Sequence, residues 1–205
     1  MINSLEFNKK ISEFEKEEGR GIIFWRAKEI MSKSSEFDTD ACLLILTTWN
    51  FAHMSSFFKK VRGNKFNYNL IKDSIEQVKP YLKIFGKESI KSADLKKLEE
   101  NIKKIYELLQ KNKQINSVGA SKILMLLNDN IFVAWDNAII KHYSKRLPKG
   151  KTLRRKDGES YFRFLQLMQK TFDHIELDEQ NIIVNGQNKG WAKAIDEYNF
   201  LTVPR

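Results

Sequence analysis

Lys122 and Asp136 are the residues of this chain whose types and spacing best suit chemistry. They stand fourteen residues apart in the stretch Ile115 to Lys141, which reads I-N-S-V-G-A-S-K-I-L-M-L-L-N-D-N-I-F-V-A-W-D-N-A-I-I-K. A lysine near a helix start opposes the helix dipole. Shielded from water by Val118, Ile123 and aromatic neighbours, it becomes available as an amine nucleophile. Asp136 opens the next helix and faces the same cleft if the two helices pack as a hairpin, so the pair would join an amine to a carboxylate. A turn over Asn116, Ser117, Val118 and Gly119 before a helix brings backbone N–H groups close to an anion, and Ser117, Gly119 and Ser121 are the phosphate contacts this expects. Each residue also has a structural reading. Asp136 suits a simple cap before Asn137, Lys122 a solvated helix position, and Trp135 either a stacking face or a large core contact.

Two further groups bear on nucleic acid. Lys141, Lys145, Arg146, Lys149, Lys151, Arg154, Arg155 and Lys156 form a run with no acidic residue until Asp157, which reads either as a phosphate-binding strip or as a solvated loop. Trp49, Asn50 and Phe51 can serve a base pocket, because rings stack on an extruded base while an amide reads its edge; core packing is the competing use of the rings. His53, His142 and His174 share no ligand spacing, so no metal site is expected. Phosphate-binding loop, dinucleotide and nucleophile-elbow motifs are missing from the sequence, and no cofactor is expected.

The elements that must position these residues are helical. The chain has 205 residues, 41% of them hydrophobic and 30% charged, with 3 Pro and 9 Gly, a composition that fits a folded globule and excludes collagen-like and disordered classes. One helical domain, 1–205, is expected, with a division into lobes of about 1–90 and 91–205 as the variant. Helical spacing recurs over Leu5 to Phe14, from Ile22, over Thr39 to His53 after a capping Asp38, from Leu70 to Leu82 with Pro80 near its end, and over Leu95 to Leu109 after a capping Ser92. Further helices follow over Ile123 to Leu127, from Asp136 to Tyr143, over Glu159 to Phe172 and over Trp191 to Tyr198, with Ile175, Leu177, Ile182, Ile183 and Val184 offering one small C-terminal hairpin. The fold class is therefore all-α. Cys42 is the only cysteine and lies in the longest apolar run, Ala41 to Leu46, which excludes an internal disulfide and is far short of a membrane span. The polar start is unlike an export signal, and a cytoplasmic monomer is expected. The net charge of +10 favours a polyanionic partner.

Val118-Gly119-Ala120-Ser121-Lys122 followed by Val133-Ala134-Trp135-Asp136 resembles the helix-hairpin-helix DNA glycosylase superfamily. More narrowly, Lys122-Ile-Leu-Met-Leu-Leu-Asn128 and Phe132-Val-Ala-Trp-Asp136 are similar to the branch of small bacterial and archaeal proteins related to 8-oxoguanine glycosylases. The resemblance implies a glycosylase-like multi-helix bundle that binds damaged duplex DNA. It also implies that Lys122 attacks the sugar carbon to form an imine while Asp136 activates the nucleophile or stabilises positive charge on the sugar. Aligning on Val118-Gly119 instead puts Ser121 at the nucleophile position, so the two registers stand side by side. The function expected is a DNA repair glycosylase, with or without abasic-site lyase activity. Its alternatives are a non-catalytic nucleic-acid-binding helical protein and a structural protein whose charge serves solubility.

Overall fold

The computed structural model describes residues 2–19, 21–60, 63–148, 150–178, 183, 184 and 187–204. Within them the fold is all-helical apart from one pair of two-residue strands. Ser4–Glu17 (α1) starts where the Asn3 carboxamide accepts from the Glu6 amide, and buries Phe7, Ile11 and Phe14 on one stripe. Gly21–Lys33 (α2) follows, then a 3₁₀ turn over Ser35–Phe37 capped by Ser34.

Asp38–Trp49 (α3) lacks the cap that the sequence assigns to Asp38. That carboxylate instead pairs with Lys79, 2.8 Å away. Nor does the helix run on to His53. It stops at Asn50, and Phe51–Phe58 (α4) leaves at 105°. Asn50 carries the break by turning its amide to the Ile115 carbonyl at 3.3 Å. Tyr68–Leu82 (α5) is capped by Asn67 and continues two residues past Pro80, which sits in its last turn, before a 3₁₀ turn over Lys83–Phe85. Gly63, between α4 and α5, has φ +75°, a conformation that glycine adopts without strain.

Glu99–Lys111 (α6) begins later than Ser92 would place it. Residues 89–98 form successive turns in which the Ser92 hydroxyl accepts from the Ser89 amide, and Leu95 and Leu98 are buried from those turns. Asn116–Leu127 (α7), Asn137–Ser144 (α8), Gly158–Phe172 (α9) and Trp191–Thr202 (α10) complete the helices. Ile183–Val184 (β1) and Gln187–Asn188 (β2) pair antiparallel. Of the residues expected in a hairpin there, Ile175 is buried in the helical core and Leu177 packs on it, outside either strand, and Ile182 lies outside the described residues.

Packing joins distant parts of the sequence: α1 lies on α10, α3 on α7, and α6 on both α7 and α9. One connected apolar cluster runs from Phe7 to Val203. No single described helix is long and apolar enough to cross a membrane.

Candidate functional site

The α7–α8 hairpin is built around Ser121 and Asn116. Asn116 adopts φ +57°, a left-handed conformation that asparagine tolerates, and its side-chain oxygen accepts from the amides of Val118 and Gly119, each at 2.9 Å. The helix therefore starts at Asn116, and Ser117 to Gly119 form its first turn instead of a loop ahead of it. This corrects the anion-clamp reading, since two of the amides it needs already donate to Asn116. Gly119 serves close packing instead: a Cβ there would lie 2.8 Å from Leu46 Cδ2 and 3.0 Å from Asn50 Nδ2, so the glycine lets α7 approach the α3–α4 corner.

Ser117 and Ser121 are buried, which corrects their assignment as DNA contacts. The Ser117 carbonyl accepts from Tyr106 and from the Trp135 indole. The Ser121 hydroxyl donates to Val118 O at 2.9 Å and accepts from the Trp135 amide at 3.1 Å, stitching α7 to the segment that leads into Asp136. A serine so placed holds the hairpin closed and faces no cleft. Trp135 is likewise core. Its ring is fully buried among Tyr106, Tyr161 and Phe164 with ring centroids 5.1–5.7 Å away, although the residue also borders the cavity that Lys122 and Asp136 line.

Lys122, the seventh residue of α7, turns the other way. Its ammonium donates to the Trp49 carbonyl, one of the four that end α3 without an intrahelical partner. Asp136, in extended conformation, accepts from the Ile139 amide at 2.9 Å and caps α8, as its spacing implies. Both residues line one cavity of about 440 Å³. Trp49 and Asn50 form its α3–α4 side, Asn137 and Ile139 its α8 side, and Phe14, Glu18, Asp196 and Phe200 close it from α1 and α10. Phe51, the third member of the sequence-proposed base pocket, is not in the lining. It is 60% exposed, because the bend at Asn50 turns it outward.

Asp196, Glu18, Phe14 and Phe200 belong to no local motif. The Asp196 carboxyl is held above the usual carboxylate range by burial, against the pull of Lys193 and Lys122, and Asp136 adds to the rise. The three groups thus share one electrostatic environment. Behind Asp196 lies a buried charge network. Lys193 contacts Glu197 at 3.1 Å and Asp196 at 3.3 Å, and Lys189 contacts Glu197 and Glu15, each at 2.6 Å. The Lys193 ammonium sits 4.7–5.1 Å from the ring centres of Phe14, Trp49 and Phe24, so π faces complete the shell that two carboxylates begin. Burial pulls this ammonium down, but Glu197, Asp196 and Glu15 outweigh it and hold it above the usual lysine range. Burial pushes Glu197 up to about 7 despite Lys193 and Lys189. The Trp49 Nε1–H, also buried, has no acceptor among the described residues.

The basic run leaves this site along α8. Lys141, Lys145, Arg146, Lys151, Arg154 and Arg155 are all exposed, whereas Lys149 lies outside the described residues. The strip is fixed to the body where Leu153 is buried, where the Leu153 amide donates to Ser144 Oγ at 3.1 Å, and where Tyr106 donates to the Arg155 carbonyl at 2.5 Å. His142 registers the local potential, for burial, Arg146 and Lys145 all lower its pKa. Among the described residues no three His, Cys, Asp or Glu side chains are grouped to hold a metal ion.

No protein-family model, curated protein or solved structure matches this chain.

Proposed function

We propose that the chain is a DNA base-excision enzyme of the helix-hairpin-helix type, a glycosylase with associated lyase chemistry. The observation that carries this reading is the opening of Lys122 and Asp136 into one cavity, beside a fixed and exposed basic strip. At about 440 Å³ the cavity falls within the range of about 300–1,000 Å³ typical of small-ligand sites and suits an extruded nucleobase. The strip would hold phosphates of the duplex. As the base leaves with the glycosidic electron pair and takes up a proton, the Asp136 carboxylate stabilises the positive charge on the sugar. The Lys122 amine, its proton passed to a cavity carboxylate, then bonds to the sugar carbon; the bond from that carbon to the ring oxygen breaks, the oxygen takes up a proton from the nitrogen, and an imine results.

Borohydride trapping on DNA carrying an abasic site or 8-oxoguanine tests this. A covalent complex is expected with the wild type and with Ser121→Ala, but not with Lys122→Ala. No complex at all, or one that survives Lys122→Ala, overturns it.

The hydrogen bonds already made by both residues favour a second reading, a nucleic-acid-binding protein in which Asp136 only caps α8 and Lys122 only satisfies the end of α3. It expects salt-dependent binding that Asp136→Asn does not alter, and no release of any base.

A further inference from the structure

A second basic surface surrounds α4, the helix that follows the cavity-lining Asn50. Two acid-free stretches of sequence build it: no Asp or Glu occurs from Ala41 to Lys72 or from Leu108 to Asn128. The fold presses these stretches together. His53 Nε2 on α4 donates to the Lys113 carbonyl at 2.8 Å. The Gln114 side chain exchanges two hydrogen bonds with the Asn67 backbone at 2.7 and 2.9 Å, and Asn112 donates to Leu70 O at 2.7 Å. The result gathers exposed Lys59, Lys60, Lys65, Lys111 and Lys113 around α4, and none of them makes an ion pair among the described residues.

Within this cationic rim α4 exposes aromatic rings. Phe51 is 60% exposed and Phe58 47%, although a ring of this size is ordinarily buried. Seven residues apart, they fall on one helix face about 10 Å from each other along the axis. Phe58 is backed by Phe66, with ring centroids 5.0 Å apart, so its position is supported from beneath. Phe51 follows directly on Asn50, which lines the cavity.

We propose that the α4 face, Phe51 and Phe58 ringed by Lys59, Lys60, Lys65 and Lys113, is a binding surface for single-stranded nucleic acid. Lysines without neighbouring carboxylates are complementary to a phosphodiester backbone, and exposed rings are complementary to the faces of unpaired bases. A duplex stacks its bases on each other and presents phosphates alone, so it satisfies the lysines but leaves the rings unused. A protein partner would match both features only if it were acidic, and then it would have no need of the flat faces that unpaired bases present. The surface is independent of the excision chemistry and needs neither Lys122 nor Asp136.

The test is fluorescence anisotropy with an undamaged labelled oligothymidylate and a duplex of equal length at one salt concentration. Tighter binding of the single strand is expected. Phe51→Ala should weaken it by about 5- to 150-fold, the range for one lost base–aromatic stack, while duplex binding changes little. Phe51→Trp should retain single-strand binding and Phe51→Leu should lose it, because the interaction needs a π face and not merely an apolar side chain. Lys59→Ala should lower the salt dependence of single-strand binding by about 0.7 in the logarithmic slope. Phe51 is exposed, so these variants should melt like the wild type. Equal affinity for single strand and duplex, or full binding by Phe51→Leu, overturns the proposal. So does a homodimer that Phe51→Ala dissociates in a chain that ignores the oligonucleotide. Because the oligonucleotide carries no lesion, failure here leaves the trapping result on Lys122 untouched, and failure there leaves this one.

Discussion

Gly190→Ala is expected to be among the most damaging single-methyl changes in this protein. Gly190 precedes α10 with φ −73°, a conformation open to any residue, so the need for glycine there is purely one of space. A Cβ would stand 2.2 Å from the Asp129 carbonyl oxygen, 2.3 Å from its carbon and 2.7 Å from the Asn130 nitrogen. All three are backbone atoms and cannot swing aside as a side chain does. Relief means parting α10 from the turn after α7 by more than about 1 Å, given that non-bonded atoms settle at about 3.5–4.0 Å. The strands of that contact are the Gly190 amide to Asp129 Oδ2 at 3.0 Å and the Lys193 amide to Asp129 O at 3.1 Å. Overpacking costs about 1–3 kcal/mol and a buried polar group left unpaired about 1–3 kcal/mol, so a loss of about 2–6 kcal/mol follows. For a chain of this size each kcal/mol moves the melting temperature by about 2–4 °C, which puts the drop at about 4–24 °C in a thermal melt followed by circular dichroism. Gly19→Ala is the control, since nothing lies within 4 Å of its Cβ. A Gly190→Ala protein melting within about 2 °C of the wild type would refute the contact and, with it, the account of how α10 delivers Asp196 to the cavity.

Asp136→Asn should keep the α8 cap, because asparagine caps as well as aspartate, yet abolish base release; Asp136→Ala should do both harms, with about 0.5–2 kcal/mol lost in urea unfolding. Full base release by the Asn variant would leave Asp136 a cap and nothing more. Glu197 makes stability depend on pH with an inverted sign for an acid. Its folded-state pKa of about 7 lies above the ordinary 4.5, so between those values the folded state holds a proton that the unfolded chain has lost, and stability falls as pH rises through that window. The full span is about 3 kcal/mol. Urea midpoints at pH 5 and pH 8 should converge in Glu197→Gln relative to the wild type, and an unchanged difference would count against the buried network.

Some of this was legible in the sequence. The stripes of α6 and α9 follow from apolar spacing, and Asp136 is recognisable as a cap because its carboxylate accepts from the Ile139 amide three residues on, a partner its own spacing supplies. Other features turn on partners remote in sequence. Asp38 has the spacing of a cap but is claimed by Lys79. The end of α3 at Asn50 carries neither Pro nor Gly, and its cause is the Ile115 carbonyl, sixty-five residues on. Asn116 reads as part of a turn and is one, yet it folds its own side chain over the next amides and so starts the helix earlier. Lys122 and Asp136 were found through their short-range pattern. Asp196 was not, because Lys193-x-x-Asp196-Glu197 is the charge spacing of a solvated helix face and marks no burial. A fully buried Lys193 becomes visible only when α1, α2 and α3 bring Phe14, Phe24 and Trp49 around it.

Charge is therefore sorted by depth in a way that composition hides. The chain as a whole carries +10, and its exposed strips along α8 and around α4 are basic. The cavity lining differs: among the described residues Glu18, Asp136 and Asp196 line it with one lysine, Lys122. Carboxylates gathered at such depth would be expelled or neutralised if left alone, since burying unpaired charge costs several kcal/mol. Lys193 is what permits the arrangement, supplying a cation to Asp196 from the protein side, where no substrate reaches. Under the proposed reading the segregation has a mechanical consequence. Phosphates are attracted to the rim and repelled from the interior, so a nucleotide can enter only base first. The one positive charge that excision creates, on the sugar, then develops against Asp136 at the boundary between the two fields.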